Sequence, residues 1–76
     1  MVTVKVKFEN MEQAVDFVRL TKTCRNDVDI RYRNSTLDAK SLMGVLSMVN
    51  AGVLEAIFYG DEDYDMIRDK LEESAA

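Results

Sequence analysis

Hydrophobic and polar positions along the chain switch between two periods. Val2, Val4, Val6 and Phe8 alternate with Thr3, Lys5 and Lys7, the period-two pattern of a strand with one buried face. The period then becomes helical. Asn10 is placed to cap a segment in which Met11, Ala14, Val15 and Val18 recur at helical spacing, with Phe17 and Leu20 widening the stripe, and Arg25 to Asp27 breaks it. Val28, Ile30 and Tyr32 alternate with Asp29, Arg31 and Arg33 as a second strand. Asn34-Ser35 reads as the turn into a short third strand around Leu37 and Ala39.

A second helix is expected from about Ser41 to Val49, ended by Asn50-Ala51-Gly52, where glycine takes the left-handed cap conformation readily. A fourth strand runs from about Val53 to Tyr59 and stops at Gly60. Asp61 then caps a last helix with Tyr64, Ile67 and Leu71 on one face. The order is β-α-β-β-α-β-α. Three amphipathic helices would share one face of a four-stranded, mainly antiparallel sheet, an α+β arrangement.

Composition narrows the class. The chain has 76 residues, 47% of them hydrophobic and 32% charged, which suits one globular domain over residues 1–76 rather than a disordered segment. A domain of this size buries only about 60% of its unfolded surface, so a deep enzyme cleft is not expected. No apolar run is long enough to span a bilayer, and Met1 leads into a strand pattern rather than a secretory signal. The lone Cys24 fits a reducing, cytoplasmic setting and reads as a small apolar residue at a helix end. A net charge of −4 opposes phosphate backbones, so nucleic acid is not an expected partner, and neither is a membrane.

Candidate chemistry is reduced mostly by elimination. The chain has no histidine, which excludes nucleophiles that rely on an imidazole base and zinc sites built on His and Cys. Three widely spaced glycines, Gly44, Gly52 and Gly60, make no phosphate loop, and no cofactor is expected. "DEDYDMIRDKLE" puts Asp61, Asp63, Asp65 and Glu72 at calcium-loop positions, but Met66 stands where the loop needs glycine. A solvated acidic start to the last helix is the preferred reading, because it suits the positive end of the helix dipole. Arg31 and Arg33, on one strand face with Asp29, read as solvent-facing charge.

The remaining segment is "LDAKSLMGVLSMVNAG", which carries more large apolar side chains than one stripe needs. Leu42, Val45 and Val49 are spaced for a single stripe, while Met43, Leu46 and Met48 spread around the cylinder. Together with the element order and the later "GVLEAIFYGDED", this segment closely resembles HPr, the small phosphocarrier family of the bacterial phosphoenolpyruvate-dependent sugar phosphotransferase system. The resemblance covers nearly the whole chain from Ala14 onward and is most specific over Lys40 to Met48. It implies the HPr-like open-faced β-sandwich, a four-stranded antiparallel sheet with three helices on one face.

What the resemblance implies for function is divided. Family phosphocarriers hold a glycine-X-histidine-X-arginine-proline loop before the first helix, and the histidine accepts the phosphoryl group. Counting back from the matched helix, Asn10 and Glu12 fall at the histidine and arginine positions. No His, Arg or Pro stands between Phe8 and Ala14. An amide is no useful phosphoryl acceptor and a carboxylate repels phosphate, so a catalytic phosphocarrier is not expected. The chain is not expected to be an enzyme. Ser41 matches the serine that an ATP-dependent kinase phosphorylates in many Gram-positive relatives, producing a form that binds a transcriptional regulator. It also reads as a plain N-cap hydroxyl, and both roles stay open.

Positions matching Leu42, Met43 and Leu46 form an exposed docking patch in the family, and Met48 is grouped with them here. Burial against the last helix or in a homodimer remains the alternative. The expected function is a regulatory or interaction protein resembling the histidine-lacking paralogue of carbon catabolite repression, with protein partners that include a serine kinase and a transcriptional regulator. A structural adaptor that keeps the fold without a phosphate signal is the other reading.

Overall fold

The structure, a computed structural model, describes the backbone of residues 1–75 and the side chains through Leu71. Strands β1 (Val2–Val6), β2 (Val28–Tyr32), β3 (Ser35–Asp38) and β4 (Leu54–Phe58) form one antiparallel sheet in the order β1-β4-β2-β3. Helices α1 (Met11–Thr21), α2 (Leu42–Leu46) and α3 (Asp61–Ala75) complete the expected β-α-β-β-α-β-α order. Register places Val4, Ala56, Ile30 and Leu37 in one row across the sheet. A neighbouring row holds Val2, Phe58 and Val28. These rows face the helices and, with Ala14, Phe17, Val18, Val45 and Ile67, make the core. Full burial of a side chain such as Ile30 or Phe58 contributes about 1.5–3 kcal/mol each.

The opposite face of the sheet is a charged mosaic. Lys5, Glu55, Arg31 and Thr36 form one of its rows, and Arg31 Nη2 donates to Glu55 Oε2 at 3.0 Å. Arg33 is not part of it: the residue lies past β2 with φ 55, and its guanidinium sits over the Tyr32 ring.

Several boundaries differ from those the pattern predicts. β1 stops at Val6, and Phe8 continues as a buried anchor whose carbonyl accepts from Asn50 N at 2.8 Å. α1 ends at Thr21, well before Arg25, because the Thr21 hydroxyl is shared between the carbonyls of Val18 and Ala39, tying the helix end to the segment after β3. Met11 is exposed, and the buried stripe runs through Ala14, Phe17, Val18 and Thr21 instead. α2 has five residues rather than the expected nine. Turns replace its second half, where Met48 N and Val49 N bond back three residues to Val45 O and Leu46 O, and Asn50 and Gly52 take the positive φ of 65 and 103 expected where the segment ends.

The connection between α1 and β2 is closed from α3. Asp63, buried in the first turn of α3, accepts from Arg25 N at 3.1 Å, from Asn26 N at 2.9 Å and from Asn26 Nδ2 at 3.2 Å. The Asn26 and Arg25 amides hold its carboxyl below the ordinary 3.8, outweighing the opposing effect of burial. A depressed carboxyl contributes stability that is present above its unfolded value and lost as pH falls through the folded one. Asp63→Asn is therefore expected to be less stable than the parent at pH 7, with the gap narrowing below about pH 3.8. Urea midpoints measured across the acid range test this; a gap independent of pH would assign the loss to shape rather than charge.

Candidate functional site

Two helix starts carry the residues singled out from the sequence, and they are built differently. At α1, Asn10 is extended at φ −153, ψ 170, and its side-chain oxygen accepts from Gln13 N at 2.9 Å. Gln13 Oε1 reaches back to accept from Glu9 N at 2.8 Å, a variant of the capping box. The Asn10 amide is thus committed to holding the helix. Glu12 follows in the exposed first turn, where its charge suits the positive end of the dipole.

At α2 the cap position belongs to Ser41, with φ −93 and ψ 110, but its hydroxyl makes no capping hydrogen bond. Backbone and neighbouring side chains set this helix start instead. Lys40 N donates to Asp38 Oδ1 at 2.9 Å in an Asx turn, and Ser41 N donates to Asp38 O at 3.1 Å. Lys40 Nζ reaches Cys24 O at 2.9 Å, anchoring the same segment to the α1–β2 connection. Sequence reasoning misses both Asp38 and Lys40: Asp38 carries a local signal, since an Asx turn needs only the Asp side chain and the backbone amide two residues on, whereas the Lys40 tie to Cys24 spans 16 residues and has none.

Beyond Ser41 the apolar residues separate. Val45 is fully buried, while Leu42 is 40% and Met43 81% exposed. Leu46 and Met48 are half-buried and pack against the core cluster. Leu42 therefore leaves the stripe that its spacing with Val45 and Val49 predicts: a five-residue helix presents only Val45 fully to the core. Ser41, Leu42 and Met43 stand together in the open, with Leu46 and Met48 contributing partial surface.

Other polar candidates have structural roles. Cys24 is buried; burial and the nearby Asp63 push its thiol up, against a smaller opposing pull from Lys40, so it is a weak thiolate source. The hydrogen bond from Tyr59 Oη to Asp29 Oδ2, 3.0 Å long, raises the phenol. Asp61 and Asp65 are exposed on α3, and Asp63 turns inward to backbone amides, so the first half of the calcium-loop spacing is helix rather than loop. The Glu72 side chain lies outside the described residues. No helix among the described residues is long and apolar enough to cross a membrane.

A β1-β4-β2-β3 antiparallel sheet with three helices against one face is the open-faced β-sandwich of the small phosphocarriers. Solved structures share that fold. HPr-C-His from Thermoanaerobacter tengcongensis superposes with a TM-score of 0.72 at 23% identity, covering 96% of this chain and 91% of that one. The phosphocarrier protein HPr from Bacillus anthracis str. Ames gives 0.71 at 20% identity, covering 99% and 96%. The chain has the HPr fold. No protein-family model and no curated protein matches it.

The two helix starts differ in what an alanine removes. Asn10→Ala deletes a made cap and is expected to cost about 1 kcal/mol, lowering Tm by about 4–8 °C. Ser41→Ala deletes a hydroxyl with no capping bond and is expected to stay within about 0.5 kcal/mol of the parent. Thermal melts of both variants check the pair; a Ser41→Ala loss equal to that of Asn10→Ala would make Ser41 a structural cap.

Proposed function

We propose that this protein is a non-catalytic, HPr-like interaction protein related to the sugar phosphotransferase system, docking a protein partner through Leu42, Met43, Leu46 and Met48 and switched by phosphorylation of Ser41. The observation that carries the reading is the start of α2: an exposed serine with an uncommitted hydroxyl, followed directly by exposed Leu42 and Met43. Exposed apolar clusters mark contact surfaces, and methionine adapts to a partner's shape. A phosphate on Ser41 adds about 1.5–2 negative charges beside that cluster. It would meet the free amides of the first turn of α2 and replace no internal hydrogen bond.

Histidine phosphotransfer is outside this proposal. The chain has no histidine, and the Asn10 amide, at the position the family resemblance gives to that residue, is engaged with Gln13 N. The regulatory rather than catalytic reading draws on analogy with HPr structures of the same fold, and the α2 surface, not the fold, is what carries it. The partners this reading calls for are an ATP-dependent serine kinase and a transcriptional regulator that recognises the phosphorylated form.

Incubation with such a kinase and ATP is expected to place one phosphate on Ser41, located by mass spectrometry, and to raise affinity for the regulator. Met43→Lys is expected to change stability by less than about 0.5 kcal/mol while weakening partner binding at least about tenfold. An unmodified Ser41 removes the switch and leaves a structural adaptor. Partner binding indifferent to Met43→Lys removes the docking face.

A further inference from the structure

β1 lies at one edge of the sheet, with β4 as its single strand neighbour. Beside it runs a groove of about 130 Å³ between the strand, α1 and α3. Val4 to Phe8 line it in unbroken succession, the last two just past the end of β1. Successive side chains of an extended chain point to opposite faces, so Val4, Lys5 and Val6 share one groove where the edge of the strand forms its wall. The far wall is apolar, from Phe17 of α1 and Tyr64 and Leu71 of α3. An open strand edge beside an apolar trough is the geometry that accepts an extended peptide as an added strand.

Charge selects the occupant. The whole chain carries a net −4, yet the charged residues along this edge are cationic: Lys5 on the strand and Lys7 just past it, Lys5 on the outward face across from Glu55, whose carboxylate is bonded to Arg31, and Arg68 on α3, 3.9 Å from Asp69. Neither Lys5 nor Lys7 is in an ion pair among the described residues. A second copy of the chain is a poor occupant, because β1 carries no acid: pairing it with itself gathers the lysines of both copies on one face with no strand carboxylate to offset them. We propose that this edge docks an extended segment of a partner protein in which apolar residues alternate with acidic ones. Its backbone pairs along β1, an apolar side chain fills the groove, and its carboxylates face Lys5 and Lys7. The surface is separate from the α2 face, and the proposal stands independently of Ser41.

The test uses the full chain, isotope-labelled, titrated with an end-blocked hexapeptide alternating valine and glutamate. Saturable amide shifts in Val2–Lys7, with slowed hydrogen exchange along β1, are expected. Lys5→Glu combined with Lys7→Glu, both at exposed positions, is expected to weaken binding at least tenfold while leaving the rest of the spectrum in place. Equal binding of a valine-lysine hexapeptide would overturn the charge argument. Shifts centred on Leu42–Met48 would overturn the location. Concentration-dependent protection of β1 without peptide would give the edge to a second copy and overturn the proposed occupant.

Discussion

The carboxylate of Asp63 is the constraint on which the helical layer depends. A chain this short has little apolar surface to spare, and its α1–β2 connection is held by polar ties converging from three directions. Asp63 collects the Arg25 and Asn26 amides from the α3 side. Lys40 Nζ bonds Cys24 O from the α2 side, and Tyr59 N donates to Asp27 O from the end of β4. A buried carboxylate is costly unless charge-assisted hydrogen bonds compensate it, and here three donors do so. The approach is close enough that a Cβ at Gly60 would run into Asn26 Nδ2 and lie 2.8 Å from Asp63 Oδ2, so that position admits no side chain without disturbing the knot.

The same knot reaches the α2 face. Lys40, the residue before Ser41, is one of its ties, and Asp38 fixes the turn between β3 and α2 through two backbone amides. At the other end Asn50 N donates to Phe8 O, joining the turn after α2 to the entry of α1. A helix of five residues has almost no stability of its own. α2 exists because both of its ends are tied to other elements and Val45 is sealed in the core, which leaves its outer side chains free of structural duty.

Legibility in the sequence followed the range of the interaction responsible. β2 was plain because Val28 and Ile30 alternate with charges, and the α1 start because the Asn10 cap is a contact only three residues long. The length of α2 is not legible: apolar density from Leu42 to Val49 reads as helix, yet past Leu46 the amides of Met48 and Val49 bond back three residues, to Val45 O and Leu46 O, and the chain continues as turns. Asp63 looked like one more acid in a helix start. Its partners, Arg25 and Asn26, are 38 and 37 residues away, and no periodicity carries that information. The surplus of apolar residues after Ser41 was legible, but its division into exposed Leu42 and Met43 and half-buried Leu46 and Met48 required the packing.

The shortness of α2 changes how a phosphate at Ser41 would act in the proposed reading. A long helix offers a macrodipole at its N-terminus, whereas five residues supply little beyond the free amides of one turn. The basic side chain next door, Lys40, is already bonded to Cys24 O, so drawing it to a phosphate would loosen the α1–β2 connection. The stronger consequence is on the surface: Ser41 adjoins Leu42, itself adjoining Met43, and a doubly charged group there turns an apolar contact area into an amphipathic one. A partner selected for that combination would need cationic groups beside an apolar pocket. Modification would then act by altering which partner fits, with the fold itself unmoved.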